Sequence, residues 1–365
     1  MKAIVSGGGS GGHIFPAIAI ANAIKKRWPE ADILFVGAEG RMEMEKVPAA
    51  GYEIKGLPIA GLQRKLTPAN IVKNLQLPFR MMESNRRVKA ILHSFQPDIV
   101  VGVGGFASEP TLKAASRLGY KTLLQEQNSY AGLTNKLLAK DAETICVAYD
   151  GMERFFSKEK IVFTGNPVRA AIEQMSCTRE EGLAHFGLHP DLPVVLVVGG
   201  SLGARSMNNM MLSNLNTIKE APMQVIWQTG RWGYQEASAA AVGVDNVKVH
   251  EFIQRMDLAY AAADVVISRA GAIAISELCI VGKPVVLIPS PNVAEDHQTK
   301  NAMALVNKGA AMMVPDADCG EKCLPLVTEL LSDKERWDAM SEAIGKMAVR
   351  GAADKIVDEI AKIVK

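Results

Sequence analysis

Cysteine is scarce in this chain: five in 365 residues, Cys146, Cys177, Cys279, Cys319 and Cys323, all in or beside apolar segments. So sparse and odd a set excludes a disulfide framework and predicts buried thiols in a reducing cytoplasm. Cys319 and Cys323 stand four apart, yet no second pair or histidine cluster completes a zinc site, so no metal is expected. Excess charge is missing too. Lys and Arg number 41 against 39 Asp and Glu, a net of +2, and no nucleic acid partner is expected. A long apolar run is also lacking. Ala3 to Ile24 has no Lys, Arg, Asp or Glu, but Gly7, Gly8, Gly9, Gly11 and Gly12 break it, with His13 and Pro16 close behind. It reads as neither a signal peptide nor a membrane span. Short-period repeats and low-complexity tracts are absent as well.

What remains is an ordinary soluble composition, 48% hydrophobic and 22% charged. At about 100–200 residues per domain, the length suggests two or three domains. The charge is unevenly shared: residues 1–164 hold 22 Lys and Arg against 15 Asp and Glu, a net +7, and the rest 19 against 24, a net −5. Strand-like runs at Ala3–Ser6, Ile33–Val36, Ile99–Val103, Thr122–Leu124 and Thr144–Val147 alternate with helical patterns such as Ala17–Arg27, Thr111–Arg117 and Ala131–Ala139. The rhythm repeats with Val194–Val198, Gln224–Trp227, Val247–His250, Val265–Ser268 and Val285–Ile288. This predicts an α/β chain of two doubly wound domains with parallel sheets. The Gly165-Asn166-Pro167 turn marks the break, giving domains 1–164 and 165–349. Near the end, Ile356, Val357, Ile360, Ile363 and Val364 share a helical face, so a helix over 350–365 is expected to return to the first domain.

Both halves open alike, a strand running into a glycine loop and then a helix: Ile4 to His13, and Val197 to Ala204. Such loops let backbone N–H groups approach phosphate, and the helix start that follows favours an anion. Gly7, Gly9 and Gly12 satisfy G-x-G-x-x-G, which makes a dinucleotide-dependent oxidoreductase a rival reading. Against it, Glu39 stands 27 residues after Gly12, where about 20 would suit the ribose contact.

Further strings resemble a known family. They are Gly8-Gly9-Ser10-Gly11-Gly12-His13-Ile14-Phe15-Pro16, Gly102-Val103-Gly104-Gly105-Phe106, Glu126-Gln127-Asn128, Ala131 to Lys136 and Gly165-Asn166-Pro167-Val168-Arg169. Gly199 to Arg205, Glu251-Phe252-Ile253, Ser268 to Ala272, Ser276-Glu277, Asp296-His297-Gln298 and Asn301-Ala302 follow in order. Collinear from residue 4 to about 311, they are similar to the MurG family of lipid I N-acetylglucosaminyltransferases. Gln125 departs from the pattern, where a His before Glu-Gln-Asn is common.

The resemblance implies a GT-B glycosyltransferase, two Rossmann-like domains facing across a cleft, with no cofactor. It implies inverting transfer of GlcNAc from UDP-GlcNAc to the 4-hydroxyl of MurNAc in lipid I, making lipid II. Ser10, Gly11, Gly12, Asn128, Arg169, Ser201, Ile253, Ala272, Ile273, Ala274, Ile275, Ser276, Glu277 and Gln298 are the expected donor residues. Gly9, Gly104, Gly105 and Phe106 would cradle the acceptor pyrophosphate, helped by the Ser10–Gly12 amides. His13 is the expected general base, its ordinary pKa lying near working pH, with Glu126 as the competing candidate. Other roles stay open: Arg169 as a surface ion pair, Glu277 as a helix-terminus charge, His13 as a cap.

Asp316-Ala317-Asp318 looks like a metal-binding DxD string but follows Pro315 late in the chain and reads as a solvated turn. The stretch Leu62–Phe95 reads as a docking surface for an anionic membrane. Arg64, Lys65, Lys73, Arg80, Arg86, Arg87 and Lys89 are interleaved there with Leu66, Ile71, Leu75, Leu77, Phe79, Met81 and Met82, opposed only by Glu83. A solvated basic helix covering a core is the alternative. The resemblance thus implies a peripheral protein on the cytoplasmic face of the bacterial inner membrane, with cell-wall and division machinery as partners. A non-catalytic sugar-nucleotide binding protein is the third reading.

Overall fold

The computed structural model describes residues 1–59 and 77–365. The chain forms two compact units, Met1–Val168 with Gly351–Lys365, and Arg169–Arg350. The first is built on a parallel sheet of β1 (Lys2–Ser6), β2 (Asp32–Ala38), β3 (Glu53–Leu57), β4 (Ile99–Gly102), β5 (Thr122–Glu126), β6 (Thr144–Val147) and β7 (Ile161–Phe163), in the order β3-β2-β1-β4-β5-β6-β7. The second holds β8 (Val194–Val198), β9 (Gln224–Gln228), β10 (Val247–His250), β11 (Val265–Ser268), β12 (Val285–Leu287) and β13 (Met312–Met313), in the order β10-β9-β8-β11-β12-β13. Each unit is therefore a doubly wound α/β domain, as the alternating pattern implies.

Burial on both faces explains why these strands read as unbroken apolar runs. Ala3 and Val5 of β1 join one core cluster and Ile4 the opposite one, as the two-residue strand period requires. The helix Ala352–Ile363 belongs to the first unit, with Ile356, Val357 and Ile360 in the cluster that holds Ile20 and Ile24. Lys26–Asp354 (3.0 Å) and Arg27–Asp358 (2.6 Å) flank that seam. In the second unit Trp227 of β9 is fully buried beside Met207, Met210 and Met211 of the helix Arg205–Glu220.

Three strands escape the sequence pattern, all of them edges paired on one side only. β3 carries polar residues on its uncovered face, whereas β7 and β13 are wholly apolar but only three and two residues long, too short to stand out as runs. One helix begins earlier than expected, at Gly11 and not at Ala17, and runs to Arg27 through Pro16. Its start out of the glycine loop turns Gly11, Gly12 and His13 into first-turn residues. Burial also corrects the cysteine reading at one position: Cys177 is partly exposed, whereas the other four free thiols are buried. Burial pushes the Cys279 and Cys323 thiols up to about 12, which leaves them unreactive.

Candidate functional site

In each sheet the chain turns one way from one central strand and the opposite way from its neighbour, which leaves a crevice at their carboxyl ends where ligands of such folds bind. In the first unit those neighbours are β1 and β4, and in the second β8 and β11. The loops singled out from sequence leave these four strands. Helices Gly11–Arg27, Arg205–Glu220 and Ala272–Val281 start from the loops after β1, β8 and β11, without a side-chain cap and with no acidic residue in the first turn. The helix Arg179–Phe186, by contrast, has a full capping box from Thr178 and Glu181. Bare N–H groups and an uncompensated dipole are thus kept at the ligand edge.

In the first unit the two loops interlock through glycine. Gly105 (φ +79°) lies so close to Gly8 that an added Cβ would fall 2.3 Å from the Gly8 carbonyl oxygen. The Phe106 ring lies against Gly9, and the His13 ring against Gly104. Beneath the first loop Glu43, 1% exposed, accepts from Gly9 N and from Ala38 N, both at 3.1 Å. This corrects one expectation: the Gly9 amide is spent on Glu43 and is not presented to a phosphate. His13 Nδ1 meets two acceptors, Val103 O at 2.9 Å and Gln127 Oε1 at 3.0 Å. Gln127 is itself oriented by donating from Nε2 to Val103 O (2.8 Å) and Gln125 O (3.2 Å). Nδ1 therefore carries the proton, and the imidazole lone pair lies on Nε2.

Glu126 is built for a different task from the one expected. At 1% exposure, its oxygens accept from Asn128 N (3.0 Å), Asn128 Nδ2 (3.2 Å), Gly132 N (3.0 Å) and Asn135 Nδ2 (2.8 Å). A carboxylate so committed braces the turn that carries Asn128, and the arrangement speaks against Glu126 as the proton acceptor. Gln125 is fully buried and donates to Asn166 Oδ1 at 3.0 Å, so the departure from the family pattern falls on an internal hydrogen bond.

In the second unit, Arg169 and Glu277 find each other. Arg169 Nε reaches Glu277 Oε1 at 2.6 Å and Nη2 reaches Oε2 at 2.5 Å, a bidentate pair whose carboxylate is 3% exposed. Tyr260 OH adds a contact at 3.5 Å, and burial beside this carboxylate pushes the phenol pKa up. Glu277 is the sixth residue of its helix, which replaces the helix-terminus role with an internal ion pair. Ile275 donates its amide to Gly271 O (3.0 Å) and buries its side chain, so of the Ala272–Ser276 run it is the amides of Ala272, Ile273 and Ala274 that face the helix start. Ser201 is exposed in the loop after β8. Ile253 N donates to Gln228 Oε1 at 2.9 Å, and Gln228 Nε2 donates to Gly200 O at 3.1 Å, tying the expected base and phosphate segments together. Gln298 Oε1 accepts from Ser290 N at 2.8 Å, which aims its amide NH2 elsewhere.

Asp316 overturns the solvated-turn reading. It pairs with Arg269 (2.5 Å) and accepts from Ser206 Oγ (2.5 Å), while Arg269 also donates to Ile288 O (3.0 Å). The pair is 14% and 22% exposed and braces the loops after β11 and β12 against the helix Arg205–Glu220. Among the described residues no group of three His, Cys, Asp or Glu side chains could hold a metal. Glu43, Gln127, Gln228 and Arg269 are supporting residues that sequence reasoning missed. Gln127 lay inside a quoted motif, but Glu43 follows its loop at a distance that no local pattern marks.

Of the docking stretch, residues 62–76 lie outside the described residues. The helix Leu77–Phe95 buries Ser84, Val88 and Leu92 along one stripe and exposes Phe79, Met81 and Met82 at 76%, 52% and 70%. Arg86 and Arg87 both pair with Glu83, and Arg87 also with Glu39 at 2.7 Å. Glu39 directly follows β2, near where a dinucleotide ribose would need it, but is engaged by that arginine.

Comparison with known proteins gives two family matches, the N-terminal domain of glycosyltransferase family 28 over residues 3–147 and its C-terminal domain over 194–356. A Parabacteroides distasonis protein named UDP-N-acetylglucosamine--N-acetylmuramyl-(pentapeptide) pyrophosphoryl-undecaprenol N-acetylglucosamine transferase is 56% identical over 365 residues, covering 100% of this chain and 98% of that protein. A Phocaeicola vulgatus protein of the same name is 54% identical, with coverage of 100% and 96%. Among solved structures, Acinetobacter baumannii MurG matches with a TM-score of 0.77 at 26% identity over 99% of both chains.

Proposed function

The chain belongs to glycosyltransferase family 28, and from that premise we propose that it is a MurG-type enzyme transferring GlcNAc from UDP-GlcNAc to the MurNAc 4-hydroxyl of lipid I, yielding lipid II. Its two α/β domains are those of the GT-B class. The oxidoreductase and non-catalytic readings are not favoured.

The second unit takes the donor. The bare start of the helix Arg205–Glu220 and the Gly199–Gly203 loop receive the diphosphate, with Ser201 beside it. Arg169, its side chain 37% exposed, faces the ribose with Glu277 holding it from behind, and the Gln298 amide faces the sugar. The first unit takes the acceptor pyrophosphate on the Ser10–Gly12 amides and the Gly104–Phe106 loop. In the reaction the 4-hydroxyl oxygen attacks the anomeric carbon as the bond from that carbon to the β-phosphate oxygen breaks. UDP leaves with the electron pair, the configuration inverts, and the hydroxyl proton goes to His13 Nε2.

The observation that carries this mechanism is the pair of acceptors on His13 Nδ1, which leaves Nε2 as the basic nitrogen. Among the described residues no helix is long and apolar enough to cross a membrane. The lipid-linked acceptor is instead met at the cytoplasmic face of the membrane by peripheral docking, through exposed Phe79, Met81 and Met82 flanked by Arg80, Arg86 and Lys89. Replacing His13 by Ala tests the mechanism. Turnover falls about 10²–10⁴-fold while UDP-GlcNAc still binds; an unchanged kcat removes His13 from the reaction.

A further inference from the structure

The turn after β9 brings a cation to the donor loop that no motif singled out. Its first foot meets the phosphate loop backbone to backbone. An added Cβ on Gly203 would fall 1.9 Å from Thr229 O, and one on Gly230 would fall 2.3 Å from Gly203 N. Gly230 N also donates to Glu251 O at 3.1 Å. Both feet are held by Asn208 in the opening turns of the helix Arg205–Glu220. Asn208 Nδ2 donates to Thr229 O at 2.9 Å, and Trp227 Nε1 donates to Asn208 Oδ1 at 3.1 Å. At the second foot a Cβ on Gly233 would fall 2.2 Å from Asn208 Nδ2. Between these clamps Arg231 and Trp232 stand out into solvent, Trp232 84% exposed, with the guanidinium 5.9 Å from the indole ring. Among the described residues no carboxylate pairs with Arg231.

We infer that Arg231 binds the diphosphate of the nucleotide donor, adding a side-chain cation to the backbone amides of the adjoining loop. The inference rests on the reading of the second unit as the donor domain. A planar guanidinium donates two parallel hydrogen bonds to phosphate oxygens, and Arg231 directly follows Gly230, whose backbone packs against Gly203 of the phosphate loop. Stacking on Trp232 limits the conformations the side chain must give up on binding. As the sugar–phosphate bond breaks, the electron pair moves onto the β-phosphate, and a cation there stabilises the leaving group.

The test compares UDP with uridine, by calorimetry and by NMR titration, on the full chain and on its Arg231→Gln and Arg231→Lys variants. Arg231→Gln is expected to weaken UDP binding about 10–100-fold. Arg231→Lys falls between, and uridine affinity stays within about twofold because the phosphates alone are addressed. UDP binding unchanged in Arg231→Gln overturns the inference, as does an equal loss for uridine, which marks a merely structural effect. A parent chain that binds neither UDP nor uridine overturns the donor-domain reading and this inference with it.

Discussion

Replacing Arg169 by Met keeps an unbranched apolar stem and removes the charge that faces Glu277. The carboxylate is 3% exposed and would keep only the Tyr260 hydroxyl at 3.5 Å. Stranding a buried charge in this way costs about 3–5 kcal/mol. Protonation sets a ceiling, because an ordinary glutamate near pKa 4.3 takes up a proton at pH 7 for about 3.7 kcal/mol and at pH 5 for about 1 kcal/mol. The sign follows directly. In the variant the folded state binds a proton that the unfolded chain does not, so its deficit grows as pH rises above about 4.3. Urea unfolding followed by tryptophan fluorescence reads this, since Trp227, Trp232 and Trp337 lie in the second unit and only Trp28 in the first. The Arg169→Met protein should be about 3–4 kcal/mol less stable than its parent at pH 7 and about 1 kcal/mol less stable at pH 5. Adding Glu277→Gln should restore most of the difference. A deficit that does not change with pH, or one below about 0.5 kcal/mol at pH 7, would refute the reasoning.

Gly105→Ala should cost roughly 1–3 kcal/mol and abolish transfer, because the new methyl meets the Gly8 carbonyl at a positive φ; thermal melts and activity check it together. His250, whose pKa burial and His185 lower, favours the native state in its neutral form. That stability is complete above about pH 6.5 and is lost as pH falls below it, so His250→Phe should flatten the acid limb by up to about 1.4 kcal/mol per pH unit. Co-sedimentation with liposomes should rise with anionic lipid content and fall in Phe79→Ser/Met82→Ser; binding indifferent to lipid charge defeats the docking proposal.

The doubly wound fold was legible because buried parallel strands must be apolar on both faces, and ten strands announced themselves that way. The strands that went unread lie at sheet edges: pairing on one side relaxes that demand in β3, and β7 and β13 are only three and two residues long. Glycine loops were legible for a related reason: close backbone approach tolerates no Cβ, as at Gly105 and Gly203. The second layer of the site was not. Glu43 beneath the first loop, Gln228 between Gly200 and Ile253, and Asp316 on Arg269 act through contacts 25 to 47 residues apart, which no local spacing encodes. Glu126 shows the limit for side-chain chemistry. Its type suits a base, but only its four hydrogen-bond donors reveal a brace.

The central claim is GlcNAc transfer to lipid I, and UDP-GlcNAc labelled in the sugar, offered with lipid I, tests it most directly. Label should appear in the lipid fraction in step with UDP release, β-linked to the 4-hydroxyl of MurNAc. Label that stays on the nucleotide, or leaves it only as free sugar, would contradict the account.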